Sequence, residues 1–288
     1  MASFESSIHN GGAGQDMVFT YEADEGGLWA ICCDGHGTPD HGFLSLNEWL
    51  AEYDWKEYFE KCIASPDRCP GKLLDEAISH LEDQTLGEGA CVLIAHLSDT
   101  TVKMWWRGDV VGRLYTGEDL LVSTTPHSSI SLEGIKSPAD LNVEWQVKAL
   151  NSHELTMVPS ARVNLNPHYD RTGILHHQFA DLLDNCAVYN CLGHRGWARG
   201  KWGTLSMPVT RLSDLSVVIG SDGLWDMLGE DEIKSLPSRE YFTAEGLVNL
   251  AADRWRQNWR YIWHGQVVQT LQKIDSADDV SCIILRRE

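Results

Sequence analysis

Aspartates stand beside glycines at the ends of apolar stretches in this sequence. Asp34-Gly35-His36-Gly37 directly follows one apolar run, and Ser221-Asp222-Gly223 directly follows another. A third apolar run has the reverse order, because Asp278-Asp279 precedes it. Short apolar runs predict buried strands and an Asp-Gly pair permits a sharp turn, so we expect each acid where a buried strand meets solvent.

Carboxylates gathered at strand ends can bind hard cations that prefer oxygen ligands. Asp16 lies beside a further predicted strand, so Asp16, Asp34, Asp222 and Asp278 converge if their strands are neighbours. Such a cluster repels itself unless metal ions or raised pKa values relieve the repulsion. Carboxylates, backbone carbonyls and water are ligands of Mg²⁺ and Mn²⁺, whereas zinc favours His and Cys. Gly35 offers an accessible carbonyl as a further ligand.

This set of residues would suit phosphate chemistry. Two ions ~3.5–4 Å apart bind a phosphate between them and activate a bridging water. His36, two residues after Asp34, is well placed to protonate a leaving alkoxide because an imidazole titrates near neutrality. Taken alone, an Asp-Gly pair is most often a turn and a lone histidine is most often structural, so the argument rests on their combination.

The hydrophobic pattern predicts strands interrupted by helices. We predict strands at 17–22, 28–33, 91–97, 102–107, 110–115, 120–123 and 215–220, further strands near 143–149 and 154–158, and a closing strand after Asp279. Helical periodicity is seen at 43–63, 72–85 and 244–263, and a short helix is predicted near 175–183. Turn residues at Ser98-Asp99, Gly108-Asp109 and Gly117-Glu118 predict an antiparallel meander of hairpins over 91–123.

This order of elements favours an α+β layered sandwich over a doubly wound parallel sheet. Neither a repeat nor a low-complexity linker is visible, so we expect one domain over residues 1–288, with a divergent insertion or flap around 126–208. Residues 193–203 of this insertion are rich in Gly, Trp and Arg.

Composition excludes several classes of function. A net charge of −19 disfavours nucleic-acid partners, because phosphate backbones require a basic surface. A phosphorylated substrate would bind only where a metal ion supplies local positive charge. No membrane span or signal peptide is recognisable, and the eight cysteines lack zinc spacing and are expected to be reduced thiols. We therefore expect a cytoplasmic monomer, with the nucleus as the alternative location.

Four strings resemble the metal-dependent protein phosphatases of the 2C type (PPM family) in their order and intervals. They are Asp34-Gly35-His36-Gly37, Gly108-Asp109, Ser221-Asp222-Gly223-Leu224-Trp225-Asp226 and Asp278-Asp279-Val280-Ser281. The Ser-Asp-Gly-Leu-Trp-Asp string is the most specific, and the resemblance spans nearly the whole chain except 126–208.

The resemblance implies a fold, a reaction and a set of ligands. The fold would be a four-layer α-β-β-α sandwich of two packed antiparallel sheets flanked by helices, and the reaction would be hydrolysis of phosphoserine and phosphothreonine in proteins without a phosphoenzyme. Two Mg²⁺ or Mn²⁺ ions would be held by Asp16, Asp34 as the bridging ligand, the Gly35 carbonyl, Asp222 and Asp278. Asp109 and Asp226, with Asp222, resemble ligands of a weaker third ion, and His36 matches the general acid.

The sequence differs from the family at two places that concern phosphate binding. The family's phosphate-binding arginine, four residues before its early acidic pair, corresponds here to Gly11. The family string near 190–196 is also altered, reading Asn190-Cys191-Leu192-Gly193-His194-Arg195-Gly196. We hypothesise that Arg195 or Arg199 takes over the phosphate contact; the alternative is that both lie on the surface of a diverged flap.

Two other functions remain open on the sequence. The first is a catalytically weak or inactive scaffold that binds metal and a protein partner without turnover. The second is a metal-dependent phosphodiesterase or nuclease, which the charge of −19 disfavours.

Overall fold

A computed structural model describes residues 2–11, 14–24, 27–37, 45–79, 88–124, 192, 202–225, 227–228, 230–256, 259–263, 266–270 and 278–287. The described strands form two five-stranded antiparallel sheets and a separate two-stranded hairpin. Sheet one has the order β1 (Ala2–His9), β12 (Val280–Arg287), β9 (Leu215–Gly220), β6 (Val111–Thr116) and β7 (Asp119–Ser123). Sheet two has the order β2 (Met17–Glu22), β3 (Leu28–Gly37), β4 (Glu88–Leu97), β5 (Thr101–Arg107) and β8 (Gly203–Pro208), and the hairpin joins β10 (Trp259–Trp263) to β11 (Gln266–Thr270).

Helices cover the outer face of each sheet. Sheet two packs against α1 (Leu46–Glu52), α2 (Trp55–Ala64) and α3 (Pro70–Ile78) through a core that includes Phe59, Leu74 and Ile94. Sheet one packs against α4 (Asp222–Trp225), α5 (Glu230–Lys234) and α6 (Ala244–Trp255) through Val218, Leu247 and Ile284. A third core, which includes Leu93, Val217 and Ile283, lies between the two sheets. The four-layer α-β-β-α sandwich is thereby confirmed.

The helix predicted over 43–63 is two helices. The Asp54 side chain accepts a hydrogen bond from the Glu57 backbone N–H and so caps a new helix at Trp55, with two residues between it and the end of α1. The helix predicted over 72–85 starts earlier, with Pro70 in its first turn, and ends at Ile78.

The helix predicted over 244–263 is also too long. α6 ends at Trp255, and Trp259 begins strand β10, so Trp255, Trp259 and Trp263 do not share a helix face. The pairing of Trp259–Trp263 with Gln266–Thr270 outweighs their helical spacing. Strands β1, β8, β10 and β11 were not predicted from the sequence.

The meander predicted over 91–123 is divided between the sheets. β4 and β5 form one hairpin and β6 and β7 form another, but β5 belongs to sheet two and β6 to sheet one. The Gly108-Asp109 connection therefore crosses between sheets instead of turning a hairpin. The elements predicted at 143–149, 154–158 and 175–183 lie outside the described residues.

Candidate functional site

The first Asp-Gly pair lies within a strand. β3 continues through Asp34 to Gly37, and Asp34 pairs with Cys91 of β4. The prediction of a turn at Asp34 was wrong, because pairing with β4 keeps Asp34 and Gly35 within the strand. Since Met17 pairs with Cys33, Asp16, which directly precedes the neighbouring strand β2, lies level with Asp34.

The second and third motifs lie at one edge of sheet one. Gly220 of β9 pairs with Cys282 of β12 on one side and with Val111 of β6 on the other. The residues just beyond these pairs are therefore brought together, namely Asp222, Asp278-Asp279 and Asp109. Asp222 begins helix α4 and not the expected turn, because the Leu224 and Trp225 backbone N–H groups donate to the Ser221 carbonyl.

The crossing at Gly108-Asp109 places these residues at the same edge of the sandwich as Asp34. Gly108 has a φ of 83°, which glycine adopts without strain. A Cβ at Gly108 would also overlap the side chain of Cys91, the residue that pairs with Asp34. The carboxylates of both sheets thus share one region, which we call the acidic edge (Asp16, Asp34, Asp109, Asp222 and Asp278).

The acidic edge is electrostatically strained. Burial raises the pKa of Asp34 well above its usual range, and the negative charges of Asp222 and Asp16 raise it further. Burial likewise raises the pKa of Asp109 to about 7, with a further contribution from Asp222. The pKa of Asp16 is also raised to about 7 by burial, although hydrogen bonds from the Ser221 and Ser281 hydroxyls oppose the shift.

Gln15 and Asp279 connect the two sheets at the acidic edge. The Gln15 backbone N–H donates to Asp279 Oδ2 at 2.8 Å, and its side-chain amide donates to the Gly37 carbonyl at 2.7 Å. Asp279, only 6% exposed, adjoins β12 of sheet one, whereas Gly37 ends β3 of sheet two. Gln15 therefore holds the strand end that carries Asp34 beside the segment that carries Asp278.

Glu88 and Asn47 support the first Asp-Gly pair from the helix side. Glu88 is 1% exposed and accepts hydrogen bonds from the Leu46 backbone N–H (2.6 Å), the Ser45 hydroxyl (3.1 Å) and Asn47 Nδ2 (3.4 Å). Because a carboxylate only accepts, Asn47 must turn its Nδ2 to Glu88 and its Oδ1 away. A Cβ on Gly35 would lie 2.5 Å from that Oδ1 atom.

Sequence reasoning missed Glu88 and Asn47. Glu88 was detectable only as an acid before the apolar run of β4, which is a weak signal for a buried charge. Its partner helix α1 begins about forty residues earlier, so only the fold brings Glu88 to Ser45 and Leu46.

The residues present are suited to hydrated hard cations. Asp16 Oδ2 and Asp109 Oδ1 are buried, and no described group donates a hydrogen bond to either oxygen, so both lack the donors that a buried carboxylate requires. A cation would satisfy these oxygens and relieve the repulsion that raises the pKa values. Within the described part of the chain, no three or more His, Cys, Asp or Glu side chains are grouped so that they could hold a metal ion by themselves. Mg²⁺ accepts such a site because it keeps several waters and uses one or two carboxylates.

The predicted site residues fall into two groups. Asp16, Asp34, Gly35, Asp109, Asp222 and Asp278 come together around the acidic edge, and His36 follows in β3 and is half-buried. Asp226, Arg195 and Arg199 lie outside the described residues. Gly11, where the resemblance expects an arginine, is half-buried.

Comparison with known proteins identifies the fold. No family model and no curated protein matches the sequence. Solved structures do match over the whole chain. The serine/threonine phosphatase Stp1 from Staphylococcus aureus has a TM-score of 0.62 and 16% identity, with coverage of 100% of this chain and 96% of that one.

Two further bacterial structures agree. A serine/threonine phosphatase from S. agalactiae has a TM-score of 0.58 at 12% identity, with both chains covered completely. The Mycobacterium tuberculosis serine/threonine phosphatase PstP/Ppp has a TM-score of 0.55 at 14% identity, with coverage of 100% of this chain and 99% of that one. The fold is thus that of the 2C-type phosphatases, as the resemblance implied. Among the described helices, none has the length and apolar character needed to cross a membrane.

Proposed function

We propose that this protein is a divergent metal-dependent phosphatase that hydrolyses phosphoserine and phosphothreonine in proteins. The observation that carries the proposal is the convergence of Asp16, Asp34, Asp109, Asp222 and Asp278 at one edge of a sandwich that has the fold of serine/threonine phosphatases. A cluster of like charges with raised pKa values is destabilising by itself, so its presence favours a cation-dependent role.

The acidic edge would hold two Mg²⁺ or Mn²⁺ ions. Asp34 would bridge the ions, and the Gly35 carbonyl, Asp16, Asp222 and Asp278 would complete the protein ligands. Asp109 and Asp226 would hold a weaker third ion. When bound, such ions supply Lewis acidity toward phosphoryl oxygens and an activated water.

His36 is the proposed general acid. It follows Asp34 by two residues in β3 and is half-buried, so its imidazole adjoins the acidic edge. In this role it holds a proton for the alkoxide oxygen of the departing serine or threonine. The replacement His36→Gln should lower kcat and remove the basic side of the pH profile while Mn²⁺ binding persists.

The side chain that binds the phosphate must come from a position other than Gly11. Glycine offers no side-chain donor, so the loop that carries Arg195 and Arg199 is the proposed source of a guanidinium contact. Arg195→Ala or Arg199→Ala should raise KM for a phosphopeptide with little change in kcat. If both variants keep the original KM, neither arginine replaces the family's phosphate-binding arginine.

Activity on a phosphopeptide is the direct test. Turnover should require Mn²⁺ or Mg²⁺, stop with a chelator, and fall by at least ~100-fold in Asp34→Ala and in Asp222→Ala, because each removes a ligand of the ions. Asp119→Ala is the matched control, since Asp119 is an exposed aspartate on β7, in sheet one. Full activity in Asp34→Ala would contradict the proposal.

The second candidate is a scaffold that binds metal and a protein partner without turnover. Gly11 favours it, because a missing phosphate contact weakens substrate binding. Calorimetric binding of Mn²⁺ that depends on Asp34 and Asp222, together with no hydrolysis of any phosphopeptide in a degenerate library, would select this function. The phosphodiesterase or nuclease alternative is tested by adding a nucleic-acid substrate to the same assay.

A further inference from the structure

A cavity of about 370 Å³ lies on the outer face of sheet two, at the end away from the acidic edge. Its wall includes Trp29 of β3, which precedes Asp34 by five residues, or roughly 16 Å of extended strand. Cys62 and Ile63, in the last turn of α2, line the cavity, together with residues of the segment that follows the helix. This volume is within the range of small-ligand sites, roughly 300–1,000 Å³.

A row of side chains across three strands lines the cavity. Trp29 of β3 pairs with His96 of β4, which in turn pairs with Lys103 of β5. The Trp29 and His96 rings stack with centroids 4.1 Å apart and planes inclined by 16°. Gly27 closes one side, since a Cβ there would lie 2.6 Å from His96 Nε2. The stacked rings of Trp29 and His96 therefore form a flat surface, and Trp105 lies beside it.

His96 is neutral at physiological pH. Burial lowers the pKa of its imidazole to about 4, and the positive charge of Lys103 acts in the same direction. The ring is thus a flat, uncharged wall against which a planar apolar group can pack.

Lys103 supplies an available positive charge at the cavity. Among the described residues, no acid forms an ion pair with Lys103. Arg68, the other cation of the lining, is already paired with Glu76, and Asp99 is the acidic residue of the lining. Lys103 is half-buried and has no acidic partner among the described residues, so in this chain of net charge −19 it is available as the anchor for an anion.

We propose that this cavity binds a small aromatic carboxylate, whose ring packs against His96 and Trp105 and whose carboxylate pairs with Lys103. The ligand combines the two features that the lining offers, a flat apolar surface and one available cation. The site does not depend on the phosphatase function, because it shares no residue with the acidic edge.

Indole-3-acetate is a suitable probe, and indole-3-acetamide is its uncharged counterpart. Titration calorimetry on the full chain should show binding of the acetate and at least about tenfold weaker binding of the acetamide, since the ion pair is lost. Lys103→Met keeps the apolar stem and should weaken acetate binding about tenfold without changing the acetamide. Lys56→Met, which alters an exposed lysine of α2, is the matched control and should bind like the original chain.

The proposal would be overturned by equal affinity for acetate and acetamide, or by acetate binding that Lys103→Met leaves unchanged. An absence of acetate binding at millimolar concentration would do the same. Circular dichroism of each variant verifies folding. Gly27→Leu gives a second route, because its side chain would displace His96, so it should abolish binding of both probes. Asp34→Ala should bind the acetate normally, which separates this site from the proposed phosphatase function.

Discussion

The two Asp-Gly pairs of this protein have the same sequence but different local structures. Asp34-Gly35 lies in an extended strand paired with β4, whereas Asp222-Gly223 lies in the first turn of helix α4. Neither pair forms the turn for which Asp-Gly is usually selected. What the pairs share is a crowded glycine, because another part of the chain occupies the space where a side chain would begin.

The neighbours of the two glycines differ in kind. Gly35 faces the tip of a side chain, Asn47 Oδ1, and the Gln15 carbonyl oxygen is at 2.8 Å from an added Cβ. Gly223 faces backbone, because an added Cβ would overlap the Asp279 carbonyl oxygen, and its own carbonyl accepts a hydrogen bond from Trp255 Nε1 at 2.8 Å. A side chain can move aside and a paired backbone cannot, so the second glycine should tolerate substitution less.

Gly223→Ala is expected to have the largest effect on stability. The added methyl would force the backbone at Asp279 to move, and we expect a loss of about 3 kcal/mol, the upper part of the range for overpacking. Urea denaturation measures the change. Gly117→Ala is the control, because Gly117 has a φ of 53° but no atom of the described residues lies near its Cβ position, so its loss should be only about 1 kcal/mol. Equal losses in the two variants would show that overlap at Gly223 is unimportant.

The carboxylates of the acidic edge should make the metal-free protein sensitive to pH. The pKa values of Asp16 and Asp109 are raised to about 7 in the folded state, so the folded state binds protons more tightly than the unfolded state. The free energy of unfolding should therefore fall as pH rises from about 4 to about 7, by at most ~1.4 kcal/mol per pH unit for each carboxyl.

Thermal unfolding in a chelator at pH 5.5 and pH 7.5 tests this expectation. The Tm should be higher at pH 5.5, and Asp16→Asn and Asp109→Asn should each reduce the difference. Added Mn²⁺ should raise the Tm mainly at pH 7.5. A Tm that rises with pH in the chelated protein would contradict the expected repulsion.

Gly35→Ala should be less damaging than Gly223→Ala, with a loss of about 1–2 kcal/mol. Because the first obstacle is a side-chain tip, the double variant Gly35→Ala/Asn47→Ala should recover part of that loss, and a double-mutant cycle measures the coupling. If Asn47→Ala restores no stability, the Gln15 carbonyl is the neighbour that limits substitution. Both glycines would then be crowded by backbone atoms.

The smallest expected difference in stability is between variants that remove the N-cap of a helix behind each Asp-Gly pair. Ser45 caps α1 by accepting from the Glu48 backbone N–H, and Thr243 caps α6 by accepting from the Gly246 backbone N–H. Each replacement by Ala should cost about 1 kcal/mol. Ser45→Ala should cost slightly more, because its hydroxyl also donates to buried Glu88. Denaturant midpoints for the two variants measure the difference, and equal shifts would show that the hydrogen bond to Glu88 contributes nothing.

The sequence was sufficient to predict the strands that carry the acids and the sandwich that joins them. The runs before Asp34 and Asp222 are buried along their whole length, and such runs are visible without knowledge of their partners. The resemblance that the order of the motifs carried then implied the four-layer arrangement. Convergence of Asp16, Asp34, Asp222 and Asp278 was expected on the condition that their strands are neighbours, and the resemblance added Asp109.

The ends of helices and the connections between strands were harder to predict. The split at Asp54 depends on one capping hydrogen bond, and the end of α6 depends on pairing between β10 and β11. The crossing at Gly108-Asp109 looks like any hairpin turn, because turn residues do not reveal which sheet the next strand will join. Buried Glu88 escaped detection because its partners are distant in sequence.

Gln15 has a consequence for how the molecule opens. It joins the end of β3 in sheet two to Asp279 beside β12 in sheet one, at the place where both sheets contribute acids. If the two sheets separated, the acids of sheet one would move away from those of sheet two. A partly open form would therefore lack the complete acidic edge. An ion bound there would slow hydrogen exchange in the central strands of both sheets by the same factor, and the two sheets would behave as one cooperative unit.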